Sequence, residues 1–130
     1  MIVVDASALV DWLLQTPERG PTIGARMGAA RLVYTLDAAF IEVLSALRRR
    51  VSRGELDAAR AFAGIELLEL APLERVESAP LARRAWSLRD SLTPYDAAYV
   101  ALAEALEAPL LTSDRRLARS HGHRAVVVEA

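Results

Sequence analysis

The chain has 130 residues, 53% apolar and 25% charged, with a formal net charge of −1; this suits a single unit over residues 1–130 with a core of its own. It contains no cysteine and no lysine, which excludes disulfides, thiolate metal sites, cysteine nucleophiles and any mechanism that needs a catalytic lysine. No apolar run is long enough to cross a membrane and no basic region precedes the first one, so neither a span nor a signal peptide is expected and a reducing cytoplasm is the expected setting.

Ile2 to Val4 reads as a short buried strand that ends at Asp5. From Ser7, the apolar positions Leu9, Val10, Leu13 and Leu14 have helical spacing, and Thr16-Pro17 closes that helix. Arg19-Gly20-Pro21 reads as a turn before a short helix to about Ala30, and Leu32 to Leu36 as a second strand. Asp37 is the expected cap of a long helix with Phe40, Leu44 and Leu47 on one stripe and Gly54 as its stop. A helix follows over about Leu56 to Leu68, and then a strand over Leu70 to Val76 that Pro72 places near an edge or at its own start.

Ser78 and Pro80 open a helix running to about Leu92, and Thr93-Pro94 open the next, TPYDAAYVALAEAL. Leu110 to Thr112 is a strand, Asp114 to Ser120 a short helix, and Ala125 to Val128 a last strand. Strands alternating with helices predict an α/β fold, a three-layer α/β/α sandwich around a central parallel sheet.

Ligands of such sheets bind beyond the carboxyl ends of the strands. Asp5 sits at one such end, and Asp114 at another, after LLTS. Asp96 lies in the first turn of an apolar, buried-looking helix, where it also suits a cap. Glu42 has Ala38, Ala39, Ser45 and Ala46 as its helical neighbours, a small-residue face that turns it toward the fold. Asp11 is expected at the surface, and His121 and His123 read as loop residues.

Converging carboxylates repel one another and call for a counter-charge. With oxygen donors only, the cation expected is Mg²⁺ or Mn²⁺. Ser7 and Thr112 offer hydroxyls that orient a carboxylate, although Ser7 equally suits a helix cap. All 16 basic residues are arginine, clustered at Arg48-Arg49-Arg50-Arg53, Arg83-Arg84 and Arg115-Arg116-Arg119, and these are solvated faces or phosphate contacts.

With these residues in place, the sequence resembles PIN-domain ribonucleases, and among them the VapC toxins of toxin–antitoxin pairs. The resemblance rests on VVDASALVDWLL, FIEVLSALRR, YDAAYVALAE and LLTSDRRLAR, which fall in the family's order across nearly the whole chain. It implies a metal-dependent endoribonuclease that cleaves structured RNA such as transfer or ribosomal RNA. By carry-over, Asp5 and Asp96 are the principal metal ligands, and Glu42 and Asp114 complete an acidic quartet. The family also implies a homodimer and inhibition by a small antitoxin. Some members carry a further acid after the position of Asp114; Arg115 and Arg116 stand here, which puts a second metal in doubt.

Rival readings are a receiver-type phospho-acceptor and a haloacid-dehalogenase-like phosphatase. Both need a lysine that the chain lacks, and the second also needs an acid where Ser7 stands. A catalytically inactive PIN-like protein-interaction module is the remaining alternative.

Overall fold

The structure is a computed structural model describing residues 1–130. The apolar Ile2–Val4 run forms strand β1 at the centre of a five-stranded sheet, where Val3 and Val4 lose all solvent contact. Val33–Leu36 (β2) and Leu110–Thr112 (β4) flank it, and Glu74–Val76 (β3) and Val127–Glu129 (β5) form the edges. The order is β3-β2-β1-β4-β5 and every pairing is parallel, with Val3 opposite Tyr34 on one side and Leu110 on the other. Strands buried on both faces read as continuous apolar runs, as β1 and β4 do.

Helices α1 (Ala6–Leu13), α2 (Arg19–Ala29), α3 (Ala39–Ser52) and α4 (Ala58–Leu70) form one group, in which α1 touches each of the others. Helix α5 (Ala82–Ser87) packs on α6 (Pro94–Leu106), which in turn touches β1, β2 and β4, and α7 (Arg115–Ala118) lies against β4 and β5. The result is the expected α/β/α sandwich. Its core gathers Leu9, Ile23, Leu36, Leu47, Tyr99 and Leu111, each almost wholly buried. Arg84 on α5 ties down α6 by holding both Glu104 oxygens at 2.8 Å.

Several local expectations shift. Arg19-Gly20-Pro21 is the first turn of α2 and not a turn ahead of it, since a proline that early sacrifices no helical hydrogen bond. In α3 the buried stripe is Ala39, Val43 and Leu47, while Leu44 is exposed and Phe40 lies half-buried under the Arg75 guanidinium. Asp37 accepts from the Ala38 N–H just ahead of α3 and does not cap it. Gly54, at φ 70°, follows the end of α3 as expected, in a conformation that costs other residues strain. Helix α4 continues to Leu70, because its buried positions Ala61, Gly64 and Leu68 keep the helical period, so β3 starts only at Glu74, after Pro72, at the predicted edge. Ser78 makes no side-chain cap, and a short 3₁₀ turn precedes α5.

Gly20 is where the α1–α2 connection closes on itself. A Cβ there would meet Gln15 Cα at 2.8 Å and the Asp11 carbonyl oxygen at 2.9 Å, both main-chain atoms that cannot yield cheaply. Gly20→Ala is expected to cost roughly 1–3 kcal/mol, read as a lower urea midpoint at unchanged slope. A variant as stable as the parent would refute the close approach.

Candidate active site

The crevice of an open parallel sheet lies where the strand order reverses. Here that point falls between β1 and β4, because the chain runs outward through β2 to β3 and then crosses to the other side of β1. Asp5 leaves β1 directly and Ser113-Asp114 leave β4, so two of the expected acids arrive from adjacent strands.

Asp5 is 4% exposed and caps α1. Its Oδ1 accepts from the Ala8 N–H at 2.9 Å and from the Ser7 hydroxyl at 2.7 Å, and its Oδ2 accepts from the Thr112 hydroxyl at 2.5 Å. Each hydroxyl is held from behind: Ser113 N–H donates to Ser7 Oγ at 3.0 Å, and Asp114 N–H to Thr112 Oγ1 at 2.9 Å. Ser7 therefore grips the cap residue and is not the cap itself. A carboxylate offers about four lone-pair directions, and three are taken, leaving one on Oδ2.

The other acids come from three helices. Glu42, half-buried in the first turn of α3, accepts from the Tyr99 hydroxyl at 3.3 Å. Asp96, half-buried in the first turn of α6, donates its N–H to the Thr93 capping oxygen at 3.3 Å. Asp114 caps α7 by accepting from the Arg116 N–H at 2.8 Å, and the Arg116 guanidinium stands 3.8 Å from it. Ser7, Glu42 and Asp114 line a cleft of about 1190 Å³, with Asp5 buried behind Ser7.

Burial pushes the Asp5 carboxyl up to about 6; the hydrogen bonds from Thr112, Ala8 and Ser7 oppose this, and the Asp96 charge adds to it. Burial raises Glu42 to about 7, against the pull of Tyr99 and with the push of Asp5 and Asp96. Asp96 is raised by burial and then by the Asp114 charge. The Tyr99 phenol, buried and facing Glu42 and Asp5, is held far above its ordinary range and stays protonated as a donor. Asp5, Glu42 and Asp96 thus lie in one electrostatic neighbourhood, and Asp114 reaches it through Asp96. No guanidinium makes an ion pair with Asp5, Glu42 or Asp96.

A hard divalent cation fits this donor set. All the donors are oxygen, and three carboxyls repel one another without a cationic partner. No three acidic or histidine side chains close on a common point as a ready-made cage. An ion such as Mg²⁺ keeps much of its water and takes one or two carboxylates, so two of these acids would suffice to hold it. Asp5, with its free lone pair on Oδ2, and Asp96 could hold such an ion.

Two features escape sequence reasoning. Asp11, expected at the surface, is 6% exposed, accepts from the Thr16 hydroxyl at 2.8 Å and pairs with Arg19 at 3.7 Å on the cleft wall. The i, i+5 Asp11–Thr16 spacing around a turn was its one sign. Tyr99 looks like core, and the signal available was a phenol one helical turn after Asp96, which needs a partner for its hydroxyl when buried.

Residues 2–121 match the family model of the PIN domain. The chain is 45% identical over 120 residues to ribonuclease VapC3 of Mycobacterium tuberculosis, covering 92% of this chain and 86% of that protein. It is 39% identical over 127 residues to ribonuclease VapC12 of the same organism, covering 98% and 97%. Among solved structures, PAE2754 of Pyrobaculum aerophilum superposes with a TM-score of 0.71 at 27% identity, over 96% of this chain and 83% of that one. A toxin–antitoxin complex from Klebsiella pneumoniae contains a chain of the same fold, with a TM-score of 0.65 at 16% identity over 98% and 96%.

The raised carboxyls set a pH dependence. A carboxyl whose folded value lies above its unfolded one stabilises the fold in acid, and that contribution is lost as pH rises through the folded value. For Asp5 the loss runs from about 3.8 to about 6, and for Glu42 from 4.5 to about 7. Metal-free protein is therefore expected to weaken between pH 4 and 8. Asp5→Asn should gain roughly 1–3 kcal/mol over the parent at pH 8 and nothing at pH 4. Urea unfolding in EDTA at the two pH values checks this, and an equal loss at both would show that Asp5 carries no such strain.

Proposed function

The chain belongs to the PIN-domain family, among the VapC ribonucleases, and on that premise we propose that it is a divalent-metal-dependent endoribonuclease, the toxin of a toxin–antitoxin pair. The observation that carries the reading is the clamp on Asp5: a buried carboxylate held by Ser7, Thr112 and Ala8 beside Glu42 and Asp96, with no cation of the protein's own to balance it. A fold of this kind hosts many activities, so the reading rests on the site and on the relatives rather than on the sandwich.

Asp5 and Asp96 are proposed as the residues that hold Mg²⁺ or Mn²⁺, with Glu42 and Asp114 completing the acidic set. When bound, the cation neutralises the acids and stabilises charge that grows on the scissile phosphate. Glu42, half-buried and donated to by the Tyr99 hydroxyl, is proposed to take the proton of an attacking water. Ser7 and Thr112 hold Asp5 in one rotamer, so the carboxylate does not reorganise during the reaction.

The proposed substrate is structured RNA, transfer or ribosomal, read at unpaired segments where bases are accessible. The proposed partners are a small antitoxin and a second copy of the chain. Exposed Phe62, Leu67 and Leu70, all on α4, support a protein contact there, since apolar side chains gathered on one surface mark interaction sites. No helix is long and apolar enough to cross a membrane, which accords with the proposed action in the cytoplasm.

Asp5→Asn and Asp96→Asn should each lower kcat for RNA cleavage well beyond the roughly 10–100-fold expected of a supporting residue such as Thr112→Val. EDTA should abolish cleavage, and Mg²⁺ or Mn²⁺ should restore it. Folded Asp variants that cut at the parental rate, or EDTA-resistant cleavage, would leave the inactive interaction module as the better reading.

A further inference from the structure

Helix α3 presents two chemistries along one face. Glu42, Ser45 and Ala46, then Arg49, Arg50 and finally Arg53, recur every three to four residues and all line the same cleft. At about 1.5 Å per residue, Arg49 lies about 10 Å along the axis from Glu42, and Arg53 about 16 Å. Between the acids and the guanidinium groups the floor consists of small side chains, Ser45 and Ala46, which leave room for a chain to lie against the helix.

The arginines are unspent. None of Arg49, Arg50 and Arg53 makes an ion pair, in contrast to Arg19 on the opposite wall, which is engaged by Asp11. Arg49 reaches back along the helix to the Ser45 hydroxyl at 3.2 Å, which aims its fork toward the Glu42 end. Glu55 stands at this end of the cleft, one carboxylate against three guanidinium groups. At the acidic end, Tyr95 lines the same cleft beside Asp96 and is 60% exposed, an aromatic face with no burial to account for it.

We infer that Arg49, Arg50 and Arg53 form a phosphate track that leads a single RNA strand along α3 to the acids, and that Tyr95 is the platform on which a base beside the scissile phosphate stacks. The inference rests on the ribonuclease reading for its direction, because it says how the substrate of that site is held. Planar guanidinium forks bind phosphate bidentately, and base stacking on an aromatic face tolerates any sequence. The opposing account is that the arginines complement the negative end of α3. That account predicts lost helix stability and unchanged RNA affinity.

The test is fluorescence anisotropy of a labelled, unstructured single-stranded RNA oligonucleotide with the full chain in EDTA, so that binding is read without turnover. Arg49→Ala/Arg50→Ala/Arg53→Ala should weaken binding at least tenfold at low salt. It should also reduce the slope of log affinity against log salt by about 2, at about 0.7 per phosphate contact on a single strand. The matching triple Lys variant should keep most of that slope. Tyr95→Ala should weaken binding about fivefold or more, with Tyr95→Phe near the parent, as stacking requires. In cleavage assays with Mg²⁺ the Arg variants should raise KM by a larger factor than they lower kcat.

Melting temperatures confirm that each variant is folded. Parental affinity and salt slope in the folded triple Ala variant would overturn the track, as would an absence of RNA binding by the parent. Equal losses in Tyr95→Ala and Tyr95→Phe would overturn the stacking platform. A chain that binds through these arginines but never cuts would lose the ribonuclease reading and keep the track; a ribonuclease indifferent to them would do the reverse.

Discussion

The Asp5 carboxylate, buried where β1 gives way to α1, is the contact on which the site is built. An unpaired charge in that position costs several kcal/mol, and hydrogen bonds from Ser7, Ala8 and Thr112 offset part of it. Thr112 belongs to the neighbouring strand, so satisfying Asp5 also locks the end of β4 against the end of β1. The two hydroxyls then accept the N–H groups of Ser113 and Asp114, which sets the path of the chain into α7. One buried acid thereby orders two loops and orients a second acid.

Helices α3 and α6 bring in the remaining carboxyls, and Tyr99 links them by donating to Glu42 from within the core. The assembly is a strained one. Burial and mutual repulsion raise Asp5, Glu42 and Asp96 together; the Arg116 charge eases Asp96 alone, and no arginine makes an ion pair with any of the three. A site that is destabilising when empty is the usual sign of stability given up for binding.

The cleft is polar in the electrical sense as well. Its acids gather at the carboxyl edge of the sheet, while the C-terminal turns of α3 carry guanidinium groups with no carboxylate partners. The two ends of the cleft therefore carry opposite charge. The small side chains between the ends keep the passage open.

Much of this was legible in the linear chain. The apolar runs at Ile2–Val4 and Leu110–Thr112, the cap at Thr93 and the 3.6-residue periods announce parallel strands alternating with helices, whereas the Asp57 cap of α4 was not read from the sequence. They also place Asp5 and Asp114 at strand ends, because a strand buried on both faces has few polar positions except where it stops. What needed the folded chain is every relation between distant residues. Asp11 looked solvated until the turn through Thr16 closed over it, and Tyr99 looked like filler until α6 met α3. The stripe of α3 shifted to Ala39, Val43 and Leu47, since the closeness of a neighbouring element, not side-chain size, selects which face is buried. Periodicity is a local property and reports local structure; the pairing of Thr112 with Asp5 across more than a hundred residues is decided by sheet order, and only packing sets that.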